Sequence, residues 1–146
     1  MSDRSDAVDA WEALFRAQVA VLRDLSREFP HDEISLNEYD VLFNLTRLPN
    51  RSSRIRDLNK QLLLTQPSVS RLVDRLVSRG LVEKSTDPGD ARGTVVALTD
   101  AGAELFRAVA VQHAVSISRR VGGVLGADEL RTLTELTDKL RHGSPE

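Results

Sequence analysis

At 146 residues, 40% apolar and 29% charged, the chain has the size and composition of one globular domain with its own core. It holds no cysteine, which excludes disulfides, thiolate metal sites and sensing by thiol oxidation, and no apolar run approaches the ~18 residues of a membrane span. The formal net charge of −2 hides an asymmetry: residues 51–98 carry nine Lys/Arg against five Asp/Glu, a net of +4, and the remainder a net of −6. A basic centre attracts phosphates, and its Lys/Arg contacts release counterions from nucleic acid. The opening MSDRSDAVDA is polar and acidic, unlike a secretory signal, so the expected compartment is the cytoplasm.

Residues 8–29 predict a long helix. Val8, Trp11, Phe15, Gln18, Leu22, Leu25 and Phe29 recur in steps of three and four, forming a single stripe widened by Leu14 and Val21. Pro30 ends it. A second helix is predicted over 36–47, with Ser35 as N-cap and Glu38 completing a capping box. Pro49-Asn50 marks its exit turn.

Arg54 to Leu62 reads as a short third helix with Ile55, Leu58 and Leu62 inward. Thr65 offers an N-cap for a fourth, and Pro67 falls in its first turn, where a missing N–H costs nothing. Val69, Leu72, Val73, Leu76 and Val77 follow at helical spacing, and Gly80 suits the position just past a helix C-terminus. Leu81–Thr86 and Thr94–Leu98 have strand composition. Between them Asp87-Pro88-Gly89-Asp90 suits a tight turn, with proline at the first central position and glycine accepting positive φ at the second. A long helix is predicted from Thr99 to about Val121, broken by Gly122, Gly123 and Gly126. A last one runs from Ala127 to Leu140 on Leu130, Leu133, Leu136 and Leu140.

The 54–79 pair of helices with a tight turn suits nucleic-acid reading. Its second helix buries one face and leaves Gln66, Ser68, Ser70, Arg71, Asp74 and Arg75 on the others. The N-terminal end of such a helix enters the major groove. Gln suits adenine edges and Arg guanine; Ser suits bases or phosphates. Arg71 and Arg75 suit phosphate anchoring. Arg92 lies at the hairpin tip between Gly89 and Gly93, where an arginine can enter a narrow minor groove. Asp90 could brace the tip through loop N–H groups or the Arg92 guanidinium. Any surface helix and any solvated turn share parts of this pattern; the order of the two elements gives it weight.

Asp90-x-Arg92 followed by Leu98-Thr99, then Asp100-Ala101-Gly102, together with SVSRLVDRLVSRGLV at 68–82, resembles the MarR family of bacterial winged-helix transcriptional regulators. The resemblance extends from about Val8 to Leu140. Leu62-Leu63-Leu64 departs from the glycine often met at that turn. The resemblance implies a mostly helical α+β fold, a winged helix-turn-helix lobe over 36–98 with dimerisation helices at 8–30 and 99–141. It implies that Thr65, Gln66, Pro67, Ser68, Ser70, Arg71, Arg75, Asp90 and Arg92 contact double-stranded DNA. It further implies a homodimer, repression as the commoner outcome, and release by a small, often aromatic effector. Trp11, Phe15, Tyr39 and Phe43 could line such an effector site, although each also suits plain hydrophobic packing.

Dimerisation has an independent argument. The stripes on 8–29 and 127–140 need cover that one small winged-helix unit does not supply, unless the two termini pack on each other. Two-fold symmetry then calls for a pseudo-palindromic operator with half-sites about one helical turn apart, roughly 10 bp. Nothing predicts a cofactor or a metal: His31, His113 and His142 are scattered without ligand spacing. An enzyme is not expected either, since Gly122-Gly123-Val124-Leu125-Gly126 follows no strand and punctuates helices instead. The alternative is a helical protein–protein interaction module without sequence-specific DNA binding.

Overall fold

A computed structural model of the chain describes residues 3–62 and 66–143, the side chains of Gln66 and Pro67 excepted. The elements run α1 Arg4–Glu28, α2 Leu36–Thr46, β1 Ser52–Arg54, α3 Ile55–Gln61, α4 Gln66–Ser78, β2 Val82–Asp87, β3 Asp90–Leu98, α5 Asp100–Ile117 and α6 Ala127–His142. A 3-10 turn at Pro49–Arg51 precedes β1, and a π-type turn at Ser118–Gly122 ends α5. The chain forms two compact units: Phe29–Gln112, and the segments up to Glu28 and from His113.

The central unit owes its core to the periodicities of α2, α3 and α4. Val41, Leu42, Leu45, Leu58, Val69, Val73 and Leu76 are fully buried, and Val96 of the sheet joins them. The capping box expected at α2 is present in both directions. Glu38 N–H donates to Ser35 Oγ, and Ser35 N–H donates to Glu38 Oε1, each at 3.1 Å. Gly80 has φ +72°. The Gly80 N–H donates to the Val77 carbonyl and the Leu81 N–H to the Leu76 carbonyl, both at 3.0 Å. This is the Schellman arrangement, with the Leu76 and Leu81 side chains buried. The chain thereby reverses out of α4 straight into β2.

The sheet has the order β1-β3-β2, all antiparallel. β1 departs from the sequence pattern, which predicts a helix from Arg54. Arg54 instead pairs with Val95, as Ser53 does with Val96 and Ser52 with Ala97. Ser-Ser-Arg carries no alternation of its own, and its extended form follows from the partner strand. β2 and β3 pair in register from Val82↔Leu98 to Thr86↔Thr94, then jump to Asp87↔Asp90. Ala91, Arg92 and Gly93 are therefore bulged out of β3. Gly89, expected at positive φ, does not adopt it: Gly80 is the one glycine that does so among the described residues. The turn is closed instead by the Asp87 side chain, whose Oδ1 accepts the Gly89 N–H at 3.0 Å.

In the terminal unit α1 begins four residues before the predicted start. Its stripe is largely uncovered, with Val8, Trp11 (56%) and Phe15 exposed and only Leu25 buried within α1; Phe29, just past its end, belongs to the core of the central unit. Leu133, Leu136 (60%) and Leu140 (64%) of α6 are exposed too. Glu28 at the end of α1 is clasped by two arginines of the π-type turn. Arg119 Nη2 donates to its Oε2 and Arg120 Nε to its Oε1, both at 2.9 Å. These bonds hold the Glu28 carboxyl below its ordinary value, with the Arg120 contribution the larger. α1 and α6, with Val121 and Leu125, border an apolar groove of about 560 Å³.

Candidate nucleic-acid interface

α4 is a strongly two-sided helix. Val69, Leu72, Val73 and Leu76 are buried, while Ser68, Ser70, Arg71, Asp74 and Arg75 are exposed. The 3.6-residue period puts the two sets on opposite faces. Neither Arg71 nor Arg75 has an ion-pair partner among the described residues. Asp74 does, since it accepts from Lys84 Nζ of β2 at 2.7 Å and so braces the hairpin on the helix. Gln66 and Pro67 are the first two residues of α4. Thr65, expected as its N-cap, lies outside the described residues, as do Leu63 and Leu64.

At the other end of α4, Arg79 Nη2 donates to the Glu33 carbonyl at 2.7 Å, and its Nη1 lies 3.7 Å from Glu38 Oε2. These bonds tie the helix to the start of α2. A second tie is made by Thr99. Its N–H donates to the Leu81 carbonyl (3.1 Å), its hydroxyl donates to the Gly80 carbonyl (2.7 Å), and the same oxygen accepts the Gly102 N–H (3.0 Å). A Cβ on Gly102 would stand 2.1 Å from the Leu81 carbonyl oxygen, so only glycine permits this approach. The Thr-x-x-Gly run after β3 is thus a latch joining the tail of α4 to the head of α5.

The hairpin presents Arg92 on its bulge rather than on the turn itself. The Asp90 carboxylate accepts the Arg92 backbone N–H at 3.0 Å, one of the two roles foreseen for it. The Arg92 side chain is exposed and makes no ion pair among the described residues. Asp87, 93% buried, pairs with Arg54 and sits under Gly93, where a Cβ would meet Asp87 Cβ at 3.2 Å. The Arg54–Asp87 pair was not foreseen. An aspartate ahead of Pro-Gly was its one signal in the sequence.

The four aromatics expected at an effector site fall into two pairs, one in each unit. Trp11 and Phe15 are neighbours on α1, with ring centroids 5.7 Å apart and both half-exposed. Tyr39 stacks on Phe106 at 5.1 Å and on Phe43 at 6.3 Å, against the hydrophobic core. Burial raises the Tyr39 phenol above its ordinary value. Arg47 covers the outer face of Phe43, 4.5 Å from the ring centroid. Among the described residues no three His, Asp or Glu side chains come together as a metal site, and no helix is long and apolar enough to cross a membrane.

A model of the MarR family matches residues 33–93, which span α2 to the wing bulge. Sco3205 from Streptomyces coelicolor, a MarR family transcriptional regulator solved in complex with DNA, is similar along 100% of this chain and 92% of its own. The TM-score is 0.80 and the identity 26%. A cysteine-to-serine variant of MarR from Escherichia coli, solved with operator DNA, matches 95% of this chain and 99% of its own at TM-score 0.75 and 26% identity. Residues 33–93 thus match the MarR family, and the fold of the whole chain is similar to that of MarR family transcriptional regulators. PcaV from Streptomyces coelicolor, solved with its natural ligand, is similar over 99% of this chain and 100% of its own, at TM-score 0.74 and 25% identity. The architecture is a winged helix-turn-helix in which β2 and β3 form the wing beside α4.

Proposed function

We propose that this chain acts as a MarR-type homodimer in the bacterial cytoplasm, repressing transcription by binding a pseudo-palindromic operator. The observation that carries this reading is the pairing of an exposed Arg92, in no ion pair among the described residues, on a braced wing with an α4 whose outer face is Ser68, Ser70, Arg71 and Arg75. In this reading α4 enters the major groove, with Thr65, Gln66 and Pro67 leading. Ser68, Ser70, Arg71 and Arg75 share base and phosphate contacts. The wing carries Arg92 into the neighbouring minor groove, with Asp90 holding its backbone.

The homodimer is supported by the uncovered apolar rows of α1 and α6 and by the groove that they border. Isolated chains in water seldom leave so many large apolar side chains exposed on adjoining helices. Effector control is supported by the ligand complex of the similar PcaV. A small aromatic ligand would act by favouring a dimer whose two α4 helices no longer match successive major grooves.

Sequencing the genomic fragments that the purified protein retains at moderate salt tests the reading. Enrichment of an inverted repeat with half-sites about 10 bp apart supports it. Retention without sequence preference, or none at low salt, overturns it. Sedimentation at micromolar concentration gives a dimer if the apolar rows are an interface and a monomer if they are not.

A further inference from the structure

Between the first turn of α3 and the wing bulge lies a cleft of about 360 Å³, in which Arg56 has no role so far. Arg54, Arg56 and Arg92 line it, with Asp90 the one acid among the described lining residues. The register explains why: Arg54 is the last β1 residue and pairs with Val95, so the chain turns into α3 at the foot of the bulge that carries Arg92. The three arginines are not equivalent. Arg54 is held by the buried Asp87. Arg56 and Arg92 are exposed, and neither has an acidic partner among the described residues. Of the nearby acids, Asp57 faces Lys60 at 3.8 Å and Asp90 is engaged by the Arg92 N–H.

We propose that this cleft seats one backbone phosphate of the DNA duplex, held by Arg56 together with the stem of the wing, and that Arg56 is a wing-side DNA contact. The inference rests on the DNA-binding reading above. The minor groove is only about 6 Å wide, so an arginine that enters it passes between two phosphate rows. A second guanidinium beside the first necessarily faces one of those rows. A phosphodiester of that row accepts hydrogen bonds from the Arg56 guanidinium, which no carboxylate occupies among the described residues, while Arg92 reaches past it into the groove. A diester carries no base identity, so the contact sets the position of the wing without adding sequence preference.

The test compares the parent, Arg56→Ala and Arg56→Lys on the enriched operator over a range of salt. It uses duplexes with and without a single neutral methylphosphonate at each position flanking the minor groove. Circular dichroism confirms that the variants are folded, as an exposed position implies. The expected result is a slope of log affinity against log salt that is lower by about 0.9 for Arg56→Ala, with base preference unchanged and Arg56→Lys near the parent. One methylphosphonate should weaken the parent and leave Arg56→Ala unaffected. Parent-like binding and slope for Arg56→Ala overturn the inference while the DNA-binding reading stands; so does a change in base preference at constant slope. Failure of the parent to bind any duplex overturns the DNA-binding reading itself.

Discussion

Arg54, the last residue of β1, is ion-paired to Asp87, the last residue of β2, across the intervening strand β3. One buried carboxylate therefore closes the wing turn, through the Gly89 N–H, and pins the far edge of the sheet to it. Replacing Asp87 with Ala leaves the Gly89 N–H and the Arg54 guanidinium without their acceptor. Because Arg54 is partly solvated, the expected loss is about 1–3 kcal/mol, below that of a fully buried pair. Urea denaturation measures it, and operator affinity should fall with it as the wing loosens.

Arg92→Ala is expected to weaken operator binding and to lower the salt slope by about one phosphate-equivalent contact. Gln66→Ala is expected to act differently, relaxing base preference by ~1–3 kcal/mol if its contact is bidentate. Fluorescence anisotropy on matched and mismatched operators separates the two. Identical behaviour of both variants and the parent removes the roles assigned to the helix and the wing.

Gly102 and Gly122 form a matched pair. A methyl at Gly102 collides with the Leu81 carbonyl at 2.1 Å, so Gly102→Ala should cost about 1–3 kcal/mol as the latch is forced apart. A methyl at Gly122 meets nothing nearer than Ser118 Oγ at 3.7 Å, and its φ is not positive. Gly122→Ala should therefore be neutral or stabilising by about 0.4–1 kcal/mol through the unfolded chain. Thermal unfolding of the two variants side by side is the measurement.

The Glu28 clasp makes stability depend on pH in a definite direction. Arg120 and Arg119 hold the folded-state pKa of Glu28 below its ordinary value of 4.5. Its contribution is thus complete above that value and disappears as pH falls through the depressed pKa. Arg120→Gln should lower the unfolding midpoint at neutral pH, and the gap from the parent should close on acidification below about 4.5. A gap independent of pH would mean that the arginine acts by packing alone.

Where local chemistry decides the structure, the sequence was readable. The Ser35–Glu38 box, the Gly80 reversal and the apolar face of α4 follow from spacing alone, and each is present. The Asp90-x-Arg92 and Leu98-Thr99 motifs pointed to the wing and to the family. What escaped was set by distant partners. β1 is extended because β3 lies beside it, and Arg54 faces Asp87 because the sheet brings together residues 33 apart in sequence. Gly89 needs no positive φ because the Asp87 side chain does the closing. The candidate site divides along the same line: exposure of Ser70, Arg71 and Arg75 was legible from periodicity, while the bulge that aims Arg92 and the cleft beside Arg56 arise only from strand register.

The Thr99 latch also sets a mechanical constraint. α4 is 13 residues long, a rod of about 20 Å fastened at Gly80–Leu81 and seated along its inner face. A tilt of about 10° at that end would carry the leading residues by about 3 Å, the length of one hydrogen bond, and would have to pull Val69 and Val73 out of the core with them. The tip, where Gln66 stands, is therefore not free to shift by itself: registry with a base edge is kept by the same buried row that holds the lobe together.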